Sequence, residues 1–209
     1  MKTIVFGATG QIGQQILDQG PALGHQVTAF VRDPNKISNP AENMSVTKGD
    51  VLDPVAVSEA IKGHDAVICA LGMPLGNKDG LRAKGTANII RGMEEAGVKR
   101  LICLSSLGTA ESRKALPFAY RAFIIPLFLR HVVADHGEQE KLIKASTLDW
   151  TIVRPGNFSK GTHTGKYHHG FTKIDKALKI KISPEDVADF MLWQLTEDAY
   201  VHRTPALSY

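Results

Sequence analysis

The chain has 209 residues, 43% hydrophobic and 22% charged, with a formal net charge of +4 and an isoelectric point near 9.0. That is room for one domain with a sizeable core, at an ordinary globular composition. The Lys and Arg residues are scattered and form no basic stripe of the kind nucleic acid needs. Two cysteines, Cys69 and Cys103, lie inside apolar runs, which excludes a disulfide scaffold and a Cys-x-x-Cys metal site.

Residues 2–6 read as a strand that breaks into Gly7-Ala-Thr-Gly10-Gln-Ile-Gly13, three glycines spaced G-x-x-G-x-x-G. A helix over 11–19 follows, with Ile12, Ile16 and Leu17 on one face, and then a strand over 26–31. A strand, tight turn and helix start leave backbone N–H groups unpaired at the positive end of a helix dipole, which favours a bound pyrophosphate. Gly7 permits the turn, Gly10 the approach of the phosphates, and Gly13 the packing of helix on strand.

Pro34 stops the second strand in a polar turn over 32–37. A third strand over 44–48 ends at Gly49-Asp50-Val51, and Asp53 with Pro54 opens a helix to residue 61. Residues 66–71 form a strand apolar on both faces, as a covered parallel strand requires. A helix over 81–96 is closed by Gly97 and followed by a strand over 98–104. A helix over 137–146, a strand over 150–153 and a helix over 184–195 capped by Ser183 complete the alternation. The pattern predicts an α/β fold, a doubly wound parallel sheet flanked by helices, as a single domain over 1–209. The part after residue 155 is expected to cover the substrate side. The most apolar stretch, 115–133, is interrupted by Pro117, Arg121, Pro126, Arg130 and His131 and is not read as a membrane span. Reduced thiols and a strand beginning directly after Met1, with no leader, point to a cytoplasmic protein.

Open α/β sheets bind ligands beyond the carboxyl ends of their strands, so the residues ending strands are the candidate site. Arg32 ends the second strand, and with Lys36 one turn on it suits the 2′-phosphate of NADP. Asp33 stands where an NAD-selecting acid would, so NAD is the second choice, and a solvated turn is the plain alternative for Arg32. Asp50 and Val51 end the third strand, where a carboxylate can accept from an adenine amino group or simply hold a turn. Leu71 and Gly72 end the fourth beside the glycine loop. Ser105 and Ser106 end the fifth, where a hydroxyl could meet the nicotinamide or the substrate, or serve turn chemistry only.

The Tyr-x-x-x-Lys proton shuttle of alcohol-oxidising dehydrogenases is missing: Ile124 stands four residues after Tyr120, and Tyr167, Tyr200 and Tyr209 fall outside the expected helix. Acid–base work at a carbinol is thereby disfavoured, and hydride transfer to an undemanding acceptor is left open. His163, His168 and His169 cluster without a third ligand at defined spacing, so no metal is expected. His136 either faces the cofactor or starts a helix.

The glycine loop, Val31-Arg-Asp33, Gly49-Asp-Val-Leu52, Gly63-His-Asp-Ala-Val-Ile68, Gly85-Thr-Ala-Asn-Ile-Ile90, Asp135-His136, Thr164-Gly-Lys-Tyr167 and the late helix from Asp186 to Leu195 occur in an order that resembles one known group. These segments are similar to the atypical short-chain dehydrogenase/reductases and, within them, the NADPH-dependent flavin reductases, also called biliverdin-IXβ reductases. The resemblance implies a Rossmann fold. It implies NADP held by Gly7, Thr9, Gly10, Gln11, Ile12, Arg32, Lys36, Asp50, Val51, Leu71 and Gly72. Gly13, Ser105 and Pro155 are expected at the cofactor as well. Ser106 is implied near the hydride-transfer site, with a flavin or other planar acceptor stacked in a shallow apolar pocket.

Two features depart from that group. Where those reductases have a histidine after a double proline, this chain reads Arg154-Pro155-Gly156-Asn157, and Asn157 can donate a hydrogen bond but cannot relay a proton. The stretch between Ser106 and His136 is longer and rich in Phe, Leu and Ile, and is expected to lid the acceptor pocket. The expectation is an NADPH-dependent reductase with Ser106 and Asn157 in catalytic positions and a small planar acceptor such as a flavin as partner. Neither nucleic acid nor membrane is expected as a partner, and the chain is expected to be a monomer or small homo-oligomer. The alternative is an NADP-sensing regulatory protein of the NmrA type without turnover. A sugar-nucleotide epimerase or dehydratase is a third reading, opposed by the missing Tyr-x-x-x-Lys pair.

Overall fold

The computed structural model describes residues 1–38, 40–72, 79–116, 118, 122–123, 127, 129–171 and 178–209. In chain order the elements are β1 (Lys2–Phe6), α1 (Gln11–Ala22), β2 (Gln26–Val31), β3 (Met44–Lys48), α2 (Pro54–Ile61), β4 (Ala66–Cys69), α3 (Leu81–Ala96) and β5 (Arg100–Leu104). They continue with α4 (Arg130–Ala145), β6 (Asp149–Pro155), β7 (Asn157–Phe158), β8 (His168–His169), β9 (Lys181–Ile182), α5 (Pro184–Trp193) and β10 (Ala206–Ser208). Short 3-10 turns occupy Pro34–Lys36 and Ala110–Ala115.

Among the described residues eight strands form one sheet in the order β3-β2-β1-β4-β5-β6-β10-β8. The first six are mutually parallel, β10 pairs parallel to β6, and β8 runs antiparallel at the edge. This is the doubly wound, Rossmann-like sheet that the strand–helix alternation predicts. Its central strands are apolar on both faces because each face is covered. Val5, Ile68 and Ile102 point into a core shared with α1 and α5. Their neighbours Ile4, Phe6, Val67, Cys69, Leu101 and Cys103 point into the opposite core, shared with α2, α3 and α4. Cys69 and Cys103 are both buried free thiols, facing each other in the β4–β5 register. No helix among the described residues is long and apolar enough to cross a membrane.

Several boundaries differ from the sequence reading. The largest difference is α4, which begins at Arg130 rather than at residue 137. Its buried face is Asp135, His136, Gln139, Glu140 and Ile143, a helical stripe that is polar over its first half and so invisible to apolar periodicity. His136 therefore sits inside a helix rather than starting one. Other ends shift by a few residues: α1 runs on to Ala22 through Pro21, β4 stops at Cys69, β5 starts at Arg100, β6 spans Asp149–Pro155 and α5 ends at Trp193. The caps are as the sequence reading has them. Asp53 accepts from the amides of Val55 and Ala56 at 2.9 and 3.2 Å, and Ser183 accepts from the Asp186 amide at 3.1 Å. The comparison of Tyr120 with Ile124 falls outside the described residues, as do Pro117, Arg121 and Pro126 within the expected lid.

Candidate functional site

Two adjoining cavities open along the carboxyl ends of the parallel strands. The first, about 220 Å³, is lined by Gly7, Ala8, Thr9 and Gly10 after β1, by Phe30, Val31 and Arg32 at the end of β2, and by Gly49, Asp50, Val51 and Leu52 after β3. The second, about 540 Å³, is lined by Gln11, Leu104, Ser105, Ser106 and Leu107, by Pro155, Gly156, Asn157 and Phe158, and by Arg82, Leu129, Val132, Val133 and His136 from α3, α4 and the residue before α4. Leu71 and Gly72 line both.

The glycine loop is built for close approach. Gly7 has φ +82°, and a Cβ there would stand 2.3 Å from the Ala70 carbonyl oxygen. A Cβ on Gly13 would stand 2.2 Å from the Gly7 carbonyl oxygen, so α1 can start where it does only over a glycine. Gly10 is the N-cap of α1 and supplies no side-chain cap. The dipole end of a 12-residue helix thus borders both cavities through Gly10 and Gln11 without a side chain closing it. A dinucleotide diphosphate fits this cradle.

At the end of β2, Asp33 and Arg32 have separate tasks. The Asp33 carboxylate accepts from the Asn35 amide at 3.1 Å and caps the turn Pro34–Lys36. Arg32 is exposed on the wall of the first cavity and has no ion pair or hydrogen bond among the described residues. Asp50 accepts from the Leu52 amide at 2.9 Å, the turn role, while also lining the first cavity. Val51 is fixed from below by Asn88, whose Nδ2 donates to its carbonyl at 2.9 Å. Three of the positions expected at the cofactor line neither cavity: Ile12 is buried in the core, Gly13 lies under the loop, and Lys36 is exposed at the end of its turn.

In the second cavity, Ser106 is half-buried and its hydroxyl donates to the Leu107 carbonyl at 3.3 Å. Ser105 is buried, and its hydroxyl donates to Glu140 Oε1 at 2.7 Å, so that group is engaged by a buried carboxylate. Glu140 also takes two bonds from Arg154, at 2.8 Å from Nε and 2.5 Å from Nη2. This buried pair joins β6, α4 and the end of β5 behind the cavity wall. Arg154 Nη1 donates to Glu111 at 2.7 Å, and that guanidinium holds the Glu111 carboxyl down at about 2.

His136 is buried, and burial, reinforced by the nearby Arg82 charge, lowers its pKa to about 4. It is therefore neutral at pH 7. Gln139 Nε2 donates to Thr86 Oγ1 at 3.0 Å and to Cys69 Sγ at 3.7 Å. Gln139 Oε1 is then left to accept from His136 Nδ1 at 3.0 Å, and the network assigns the ring proton to Nδ1.

Arg82, Asp135, Glu140 and Arg154 are absent from the site expected on sequence alone. For Asp135 and Glu140 the available signal was their spacing with His136 and Gln139 on one face of a helix, a stripe that carries no apolar periodicity. The histidines of the Gly-rich stretch go elsewhere: His163 Nε2 lies 3.4 Å from Asp189, and His168 and His169 form β8. Among the described residues no group of three or more His, Cys, Asp or Glu side chains comes together as a metal site.

Residues 7–198 match a family described as NAD(P)H-binding. An uncharacterized chloroplastic protein of Arabidopsis thaliana is 34% identical over 177 residues, covering 78% of this chain; the chain spans 61% of that relative's length. Among solved structures, the oxidoreductase YlbE of Lactococcus lactis superposes with a TM-score of 0.84 at 22% identity, over 99% of this chain and 90% of that one. ChuY, an anaerobilin reductase of Escherichia coli O157:H7, superposes with a TM-score of 0.80 at 24% identity, over 99% and 96% of the two chains.

Proposed function

The chain belongs to the NAD(P)H-binding family, and from that premise we propose that it is an NADPH-dependent reductase that passes hydride to a planar, conjugated acceptor such as a flavin. The observation that carries this reading is the junction of the two cavities. A glycine-lined cleft of the kind that takes a dinucleotide runs, across Leu71 and Gly72, into a larger, mostly apolar chamber closed by Ser106 and Asn157. When bound, the dinucleotide supplies the hydride. The chain's own residues orient and dry the site. Gly7, Gly10 and the start of α1 hold the diphosphate, Arg32 the 2′-phosphate, Asp50 and Val51 the adenine side, and Leu71 and Gly72 the ribose. Leu104, Leu107 and Phe158 exclude water, while Ser106 and Asn157 position the acceptor.

None of Ser106, Asn157 and neutral His136 is an acid at pH 7. The reading is therefore confined to acceptors whose reduced form takes its proton from water, which suits a flavin or quinone and not an alcohol–ketone pair. Fold neighbours named as an oxidoreductase and an anaerobilin reductase agree with the class. The test is loss of nicotinamide absorbance when purified protein meets NADPH with FMN or riboflavin, with NADH in parallel. Turnover above the protein-free rate, stronger with NADPH, is expected.

The second reading, an NADP-responsive regulatory protein, draws on Phe118, Phe123 and Leu127, which are 71%, 59% and 70% exposed in the segment before α4. Saturable NADPH binding with no turnover across flavins and quinones would select it and reject the reductase.

A further inference from the structure

We infer that Arg82 is an oxyanion-accepting subsite in the wall of the second cavity, so that the acceptor it takes carries a carboxylate or phosphate group. The inference rests on the reading of that cavity as the acceptor chamber. Arg82 lies in the first turn of α3, and its side chain is 7% exposed on a wall that carries no other charged side chain and includes four Leu and two Val. A guanidinium in such a place needs acceptors for its five N–H groups. It has few. Nη1 donates to Asp135 Oδ2 at a long 3.4 Å, Nε is buried with no partner, and Nη2 has no acceptor among the described residues.

Asp135 is only a partial counter-charge, because it is occupied elsewhere. The N-cap of α3 is Gly80, which has no side chain to offer, and Asp135 reaches over from α4 to do that work. Its Oδ1 accepts from the Ala83 amide at 3.1 Å and its Oδ2 from the Arg82 amide at 3.2 Å. The carboxylate is thus shared between the start of a 16-residue helix and the guanidinium. The adjoining ring, His136, carries its proton on Nδ1 toward Gln139 and brings no charge. Burial pulls the Arg82 pKa down and Asp135 pulls it up, so an oxyanion entering the cavity would supply what the cation lacks.

An oxyanion has two sources here, a substituent on the acceptor or the diphosphate of the cofactor. The larger cavity and the cradle already present at α1 favour the acceptor. The experiment measures calorimetric affinities of FMN and riboflavin, which differ by one phosphate, for the protein saturated with NADP⁺, and of NADP⁺ alone. Arg82→Met keeps the apolar stem and leaves Asp135 its two amide donors, and Arg82→Lys keeps the charge. FMN is expected to bind about 10- to 100-fold more tightly than riboflavin to the unaltered protein. That ratio should fall to near one in Arg82→Met and be partly retained in Arg82→Lys, with NADP⁺ affinity unchanged within about threefold.

A ratio untouched by Arg82→Met would make Arg82 a structural partner of Asp135 and overturn the subsite. Loss of NADP⁺ affinity would assign the oxyanion to the cofactor and overturn the acceptor assignment, and failure of both flavins to bind would overturn it outright. Charge-dependent binding with no NADPH oxidation would instead uphold the subsite and reject the reductase.

Discussion

Arg154 and Glu140 form a two-point ion pair with side chains only 3% and 2% exposed, and Ser105 completes it by donating to the same carboxylate. The pair ties the end of β6 to the middle of α4 directly behind the second cavity. Removing Glu140 leaves the buried Arg154 with only the exposed Glu111 as counter-charge, whereas removing both partners leaves no buried charge. Glu140→Gln is expected to lower unfolding free energy by about 3–5 kcal/mol, and Glu140→Met with Arg154→Met by clearly less. Urea denaturation at pH 7 decides this; equal losses in the single and double variants would show that packing, not charge, sets the effect.

The glycine loop separates folding from binding. Gly7→Ala places a Cβ against the Ala70 carbonyl at a φ of +82°, and is expected to cost roughly 3 kcal/mol or more in stability. Gly10→Ala is different. Its Cβ meets only the Gly7 carbonyl oxygen, at 3.3 Å, and its φ of −78° suits any residue. That variant should unfold within about 1 kcal/mol of the unaltered protein yet bind NADPH at least about tenfold more weakly, because on the proposed reading the Cβ would intrude on the diphosphate cradle. Normal NADPH affinity in Gly10→Ala would remove the loop from the cofactor site.

Cofactor choice should follow Arg32 and not Asp33. The Asp33 carboxylate is engaged by the Asn35 amide, and Arg32 stands without a partner among the described residues. Arg32→Ala is expected to weaken NADPH binding about 10- to 100-fold while changing NADH binding by no more than about threefold. Asp33→Asn should change neither preference. Titrations of both variants with both cofactors check the pair, and a preference that survives Arg32→Ala sinks the assignment.

Two acid-side stability windows should separate. His136 is held neutral by burial, with a folded pKa of about 4 against an ordinary 6.5. The unfolded chain therefore binds more protons between these values, so this stability is present above pH 6.5 and is lost as pH falls toward 4. Its size is on the order of 3 kcal/mol. Glu111, held at about 2 against an ordinary 4.5 by Arg154, contributes stability present above pH 4.5 and lost as pH falls toward 2. His25 and His64, also lowered by burial, add slope of the same sign as His136. The readout is accordingly a difference between variants. His136→Leu should flatten the stability curve between pH 6.5 and 4 only, and Glu111→Gln between pH 4.5 and 2 only, in denaturation midpoints measured across pH.

Much of this was legible in the chain itself. The continuous apolar strand runs, the glycines at 7, 10 and 13, and the caps Asp53 and Ser183 are local signals, because a backbone angle, a helix start or an apolar run is specified within a few residues. The parallel sheet followed from their alternation. Arg32 and Asp33 were visible as rivals, and only their placement gave the acid its turn to cap and left the arginine unpartnered among the described residues.

What the tertiary structure alone decided is the polar interior. The helix over Arg130–Ala145 buries acids and a histidine that apolar periodicity gives no sign of, because their partners come from distant chain: Asp135 meets the start of α3 at Arg82, and Glu140 meets Ser105 and Arg154. Ser105 and Ser106 are equal in sequence, yet one hydroxyl is spent on a buried carboxylate and the other remains at the cavity. Apolar burial repeats along a chain and can be read from it. Polar burial depends on which donor arrives from elsewhere, and that is known only once the chain has folded.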